Sequence, residues 1–250
     1  MKIIKHIAIL LCFITAVSCK KSSSSGNGPG PGPGTGGGVT NPPAVDSTVI
    51  RGAWVTTTAS TALGSRADIK ATVSNFKAAG LNHIFVVVYN NARTVYPSTV
   101  MQNLIGIPIK EGFEGRDPLQ ELIEEAHAAK LKVHAWFEYG FSSSYSANGG
   151  LILQAKPDWA SKNQNGALVV KNGFDWLNAL HPEVQDFMIS LIKEVVTKYN
   201  VDGIQGDDRL PAMPSEGGYD TYTVNLYKAE NAGASPPANI KDAGWLQWRA

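Results

Sequence analysis

Beyond Val49 the apolar residues alternate between two periods. Short runs rich in β-branched and aromatic residues are separated by stretches with apolar positions three and four apart, the signature of strands interleaved with amphipathic helices. Ile50–Thr56 reads as a first strand. Arg66–Ala79 reads as a helix with Ile69, Val73 and Phe76 on one face and Gly80 as its stop. His83–Tyr89 (HIFVVVY) is continuously apolar, as expected of a strand buried on both faces. Asp117-Pro118 supplies a cap and first-turn proline for a helix striped by Leu119, Leu122, Ile123 and Ala126. Lys132–Tyr139 is a third strand. His181–Tyr199 is the clearest helix, with Val184, Met188, Leu191, Ile192, Val195 and Tyr199 on one face, and Val201–Asp207 is a fourth strand. The long connection between Gly140 and Leu180 is expected to hold a hairpin covering one end of the sheet.

This alternation predicts an α/β fold of parallel strands joined by right-handed crossovers. A doubly wound sheet and a (β/α)8 TIM-type barrel both fit. The strands end in Trp54, Tyr89 with Asn90, Trp136 with Glu138, and Asp207 with Asp208. Functional groups at the C-terminal ends of successive strands favour the barrel. A barrel core takes about 250 residues, so the expectation is a truncated barrel of about the first four β/α units. Trp245–Ala250 reads as the opening of a further helix.

The first 48 residues follow different rules. Lys2 and Lys5 precede an apolar run from Ile7 to Val17, then Ser18 and Cys19. That is an export signal too short to span a bilayer. Ala16-Val17-Ser18-Cys19 resembles a bacterial lipobox, with Cys19 the lipidated residue. Residues 1–19 are therefore expected to be a lipoprotein signal, and residues 20–48, dominated by Gly, Pro and Ser, a disordered tether. The expected location is the cell envelope, anchored through lipid to a bacterial membrane, most simply the outer one. The globular domain is expected over 49–250.

Composition narrows the chemistry. The formal net charge is +1 over 250 residues, so no field favours nucleic acid. Cys12 and Cys19 are the two cysteines and both lie in the signal, leaving the domain without a disulfide or cysteine–metal framework. Gly32, Gly34 and Gly37 match GxGxxG, but with neither strand nor helix around them they carry no dinucleotide site. There is no GxSxG elbow, HExxH helix or Walker loop. No cofactor and no metal is expected.

Cleaving a glycosidic bond usually takes two carboxyl groups. Asp207 and Asp208 stand just past an apolar strand, but adjacent strand residues face opposite ways, so at most one faces a barrel axis unless the chain turns. Capping a turn is the competing role. Glu138 reads as a rim carboxylate orienting an arginine or a sugar hydroxyl. His134, Trp136 and Glu138 share a strand face, where His134 either fills the core or meets substrate. Trp54 and Trp136 either pack or stack on sugar rings.

Taken together, Arg51-Gly-Ala-Trp-Val55, Val87-Val-Tyr-Asn-Asn-Ala-Arg93 with Tyr96-Pro-Ser98, Val133-His-Ala-Trp-Phe-Glu138, Lys156-Pro-Asp-Trp159, Trp176-Leu-Asn-Ala-Leu-His-Pro-Glu-Val184 and Asp202-Gly-Ile-Gln-Gly-Asp-Asp208 resemble the glycosyl hydrolase-like 10 family. The resemblance implies an amylase-like barrel, an exported lipoprotein and a polysaccharide or peptidoglycan-type glycan as substrate. It also implies Asp207 as catalytic nucleophile, with substrate contacts from Arg93, His134, Trp136, Asn178 and Asp208; the strand-end residues Trp54, Tyr89 and Glu138 are expected to join them at the mouth. Gln205-Gly206 before the aspartates and Arg209-Leu-Pro211 after them depart from the family pattern. In amylase-type barrels the general acid comes from the next strand, so the chain as given is expected to be inactive. A non-catalytic glycan-binding lipoprotein is the competing class.

Overall fold

The structure, a computed structural model, describes residues 49–210 and 213–250. The lipobox, Cys19 and the Gly/Pro/Ser-rich segment lie outside the described residues. Four parallel strands form the main sheet: β1 (Gly52–Val55), β2 (His83–Asn90), β4 (Lys132–Phe137) and β8 (Gly203–Gly206), side by side in that order. A two-residue strand, β3 (Arg93–Thr94), pairs antiparallel with the end of β2. Each new parallel strand is added beside the previous one with no reversal. A doubly wound sheet reverses its order at a switch point, so this topology is that of a barrel wall.

The wall is curled. Trp54 Nε1 on β1 donates to Gln205 Oε1 on β8 at 3.0 Å, although two strands lie between them. Three strand spacings on a flat sheet amount to about 14 Å, so the edge strands lean toward one another as barrel strands do. The described residues thus hold four of the eight strands that a closed barrel of this type carries.

The convex face is buried by helices. Ile84, Val86, Val133, Ala135 and Phe137 are all fully buried, each aliphatic contributing about 1.5–3 kcal/mol relative to exposure. Helices α1 (Arg66–Ala78) and α3 (Pro118–Ala128) pack side by side, tied by Arg66 to Glu124 and Glu125. Ser65 caps α1 by accepting from Asp68 N, and Asp117 caps α3 by accepting from Gln120 N at 3.1 Å. The clearest sequence helix is α5 (Pro182–Lys198), entered through Pro182 and capped by His181. Its Glu194 reaches Ser98 Oγ and Thr99 N, fixing the start of a short α2 (Thr99–Ile105) that has no clear periodic signal.

The connection between β4 and α5 holds more than a hairpin. Strands β5 (Ser142–Tyr145), β6 (Val170–Lys171) and β7 (Phe174–Trp176) make an antiparallel sheet in the order β5-β7-β6, with α4 (Gly150–Ala155) between β5 and β6. Asn172 and Gly173 join β6 to β7, both with positive φ, the primed turn that suits strand twist. Two helices after β8, α6 (Thr221–Glu230) and α7 (Ala243–Arg249), complete the described chain. No described helix is long and apolar enough to cross a membrane.

Candidate functional site

The C-terminal ends of the parallel strands deliver polar groups to one mouth. Strand β2 ends in Asn90, Glu138 follows β4, and Asp207 follows β8. Asn90 Nδ2 donates a short hydrogen bond to Glu138 Oε2. Burial pushes the Glu138 carboxyl above its ordinary range; the Asn90 bond and the Arg209 charge oppose this, and Asp207 adds to it.

The two adjacent aspartates diverge. The Asp207 side chain is 25% exposed and the Asp208 side chain 82%. Asp207 Oδ1 accepts from Asp208 N at 2.6 Å, and Oδ2 accepts from Arg209 Nη2 at 2.7 Å. Burial, with Asp208 beside it, raises the Asp207 carboxyl above its usual range, while Arg209 counteracts. The same Arg209 Nη2 donates to the carbonyl oxygen of Glu138 at 2.8 Å. Its guanidinium lies 4.2 Å from the centre of the Phe174 ring. Gly140, at φ +49, lets the Arg209 backbone approach; a Cβ there would lie 2.6 Å from Arg209 C. Three segments therefore meet on Arg209: the ends of β4 and β8, and the small sheet.

Beside Glu138 opens a cavity of about 770 Å3, lined among others by Thr57, Asn90, Arg93, Glu138, Tyr145 and Phe174. Arg93 stands on its wall in a two-pronged pair with Glu111, at 2.7 and 3.0 Å. That pairing holds the Glu111 carboxyl down to about 2. Asp207 is not among the lining residues; Glu138 and Arg209 connect it to the cavity.

The remaining residues expected at the site fall in three places. Trp54, His134 and Trp136 lie on the concave face. Trp54 is 56% exposed and stacks on Phe85 at 5.2 Å, which stacks on His134 at 4.8 Å. His134 Nε2 faces His83 Nδ1 at 2.6 Å, one imidazole donating to the other. Tyr89 is fully buried, its ring edge-on to Phe187 of α5 at 6.1 Å. The β2–β4 register slips between Val87 and Tyr89, so Tyr89 pairs with Phe137 and joins the convex face. Its side chain thus has no surface for the substrate contact expected of it. Asn178 is also fully buried, its Nδ2 donating to Asp220 Oδ1 and Thr223 Oγ1, both at 2.9 Å. It fastens the approach to α5 onto the start of α6, and in this structure it too is out of a ligand's reach.

Among the described residues no group of three or more His, Cys, Asp or Glu side chains is placed to hold a metal. What the mouth offers is proton-exchanging and charge-stabilising chemistry: two carboxyls with burial-raised proton affinity, a guanidinium on one, and a cavity of mixed lining beside the other.

The sequence profile of the glycosyl hydrolase-like 10 family matches residues 49–250. The chain belongs to that family. Glycosyl hydrolase DigH of Escherichia coli K12 is 32% identical over 147 residues, covering 54% of this chain and 32% of DigH. Glycosyl hydrolase YngK of Bacillus subtilis is 31% identical over 137 residues, covering 52% of this chain and 25% of YngK. Each alignment thus takes in a third or less of the curated relative's length. In fold, this glycosyl hydrolase-like 10 chain is similar to α-L-fucosidase isoenzyme 2 of Paenibacillus thiaminolyticus. That likeness has a TM-score of 0.55 at 20% identity, over 73% of this chain and 25% of that one.

Proposed function

We propose that this chain carries part of the catalytic face of a glycoside hydrolase of the bacterial cell envelope, acting on a polysaccharide or peptidoglycan-type glycan. Asp207 is the nucleophile, with Glu138, Arg93 and Asp208 placed for contacts with sugar hydroxyls and Trp54, His134 and Trp136 on the concave face below. The observation that carries this reading is the position of Asp207, at the end of the fourth parallel strand, with one oxygen held by Arg209 and Glu138 alongside. Two carboxyl groups flanking one bond are the usual requirement for glycoside cleavage. The chain by itself is proposed to lack turnover on natural glycans, because a leaving-group proton donor from a fifth strand has no counterpart among the described residues. The basic–apolar–small pattern ending in Cys19 supports attachment to a bacterial membrane through lipid; the outer membrane is the location proposed.

Activated aryl glycosides separate the parts of this reading. A dinitrophenolate leaves without being protonated, so an Asp207 nucleophile is expected to release it even without a general acid, while an unactivated oligosaccharide stays intact. Asp207→Asn is expected to abolish the release. Unchanged release by that variant removes Asp207 from the role, and no release by the parent chain across a panel of sugars favours a glycan-binding lipoprotein. Hydrolysis of natural glycan would refute the proposed lack of turnover. Labelled palmitate should enter the expressed protein and not its Cys19→Ser variant.

A further inference from the structure

Tyr145 is the last residue of β5 and lines the cavity beside Glu138. It is 54% exposed, an unusual position for so large a ring in a fold whose other tyrosines include fully buried ones. Yet its back is fixed. Its ring meets Phe174 edge-on, centres 5.2 Å apart at 78°. It also sits in space left by Gly173, where a Cβ would lie 2.6 Å from Tyr145 Cε2. Gly173 has φ +82 in the turn joining β6 to β7, so the turn that builds the small sheet also makes the seat for the ring. Beneath it, the Asp175 carboxylate accepts from Ser144 Oγ at 2.5 Å and from the amides of Ala147 and Gly149, both at 3.0 Å, on either side of Tyr145 and the loop after it.

A held, half-exposed aromatic ring facing a cavity edged by polar side chains has one apolar face to offer and little conformational entropy left to lose. The cavity falls within the roughly 300–1,000 Å3 usual for small-molecule sites. Around it stand Asn90, Arg93, Lys110 and Glu138, donors and acceptors suited to hydroxyl groups. A flat apolar surface ringed by hydrogen-bonding groups matches the pyranose ring, whose C–H face is apolar and whose edge is polar.

We infer that Tyr145 is the stacking platform of a sugar subsite in this cavity, adjoining Asp207 through Glu138 but distinct from the point of cleavage. The inference rests on the glycan reading above and adds where one unit of that glycan lies. The small sheet, rather than the barrel strands, then supplies the apolar part of recognition at this subsite.

Calorimetric titration of the full chain with maltotetraose, cellotetraose and tetra-N-acetylchitotetraose tests it. At least one is expected to bind. Tyr145→Ala is expected to weaken that binding roughly tenfold, equivalent to about 1.4 kcal/mol, while Tyr145→Phe, which keeps the ring, stays within about twofold. Saturation-transfer NMR should place sugar protons against the tyrosine ring, a readout that a loss of folding cannot imitate. Binding by Tyr145→Ala equal to the parent overturns the subsite and leaves the glycan reading standing. Binding of none of the three sugars by the parent chain overturns both.

Discussion

Arg209 Nη2 lies 2.7 Å from Asp207 Oδ2 and 2.8 Å from the carbonyl oxygen of Glu138, so a single guanidinium nitrogen ties the end of the fourth parallel strand to the end of the third. The pair is partly buried, with Arg209 14% and Asp207 25% exposed in their side chains. The arginine therefore fixes where the Asp207 carboxylate points and opposes the effect of burial on its proton affinity.

Removing that cation while leaving the burial in place should raise the Asp207 carboxyl further. Arg209→Ala is expected to move its titration to higher pH, measured by carbon-13 NMR of the side-chain carboxyl. Stability should fall by about 1–3 kcal/mol in urea, between the values for exposed and buried pairs. An Asp207 titration unchanged by the substitution would show that Arg209 does not govern it.

Glu138 gives a stability prediction of definite sign. Its folded pKa lies above the ordinary 4.5, chiefly through burial, so the fold favours the protonated form. That contribution is fully present below about 4.5 and is lost as pH rises through the raised folded value. Glu138→Gln keeps an oxygen for Asn90 to donate to and carries no charge. It is expected to melt a few degrees higher near neutral pH, on a scale of about 2–4 °C per kcal/mol. The advantage should vanish in acid; an advantage that persists there contradicts the assignment.

The His83–His134 pair has the opposite sign. Burial lowers both folded values below 6.5, with Lys132 acting the same way on both, Arg51 on His83, and Asp202 opposing. The His83 imidazole also lowers the proton affinity of His134. Stability is therefore full above 6.5 and declines as pH falls through the folded values. His83→Phe keeps a ring against Phe85 but removes the shared proton. It should cost about 1 kcal/mol at neutral pH and flatten the acid decline of the melting temperature. An equally steep decline in the variant would place the sensitivity elsewhere.

Asp175 is 1% exposed and accepts from Ser144, Ala147 and Gly149. Asp175→Ala leaves these donors without their acceptor and is expected to cost about 2–4 kcal/mol. Hydrogen exchange at the Ala147 and Gly149 amides should accelerate before global unfolding. If their protection stays at the parent level, the carboxylate is not what orders this wall of the cavity.

Much of the scaffold was legible because a strand buried on both faces leaves a continuous apolar run, as in β2, and one buried on a single face an alternating one, as in β4. His83–Tyr89 and Lys132–Tyr139 could hardly be anything but inner strands, and α5 announced itself through proline entry and one long apolar face. The strand-end position of Asp207 and Glu138 followed from the same pattern. Tyr89 did not, because a register slip after Val87 is a matter of pairing with β4 and leaves no trace in the local alternation. The partnership of Arg209 with Asp207 depends on how two loops meet at Gly140. Tyr145 stands in a short serine-rich strand with no apolar period, and its seat is built by Gly173, far along the chain. Such placements are decided by tertiary contacts, which sequence periodicity does not encode.

The small antiparallel sheet enters the fold as a single excursion between β4 and α5, with both of its ends rooted in the barrel wall. Its strands could be exchanged for those of another family member as one graft, altering the cavity wall while the proposed nucleophile Asp207 stays where it is. Arg209 limits that freedom. Because its guanidinium rests on Phe174 as it grips Asp207, a transplant lacking an aromatic side chain at that position would disturb the alignment of the Asp207 carboxylate along with the cavity wall.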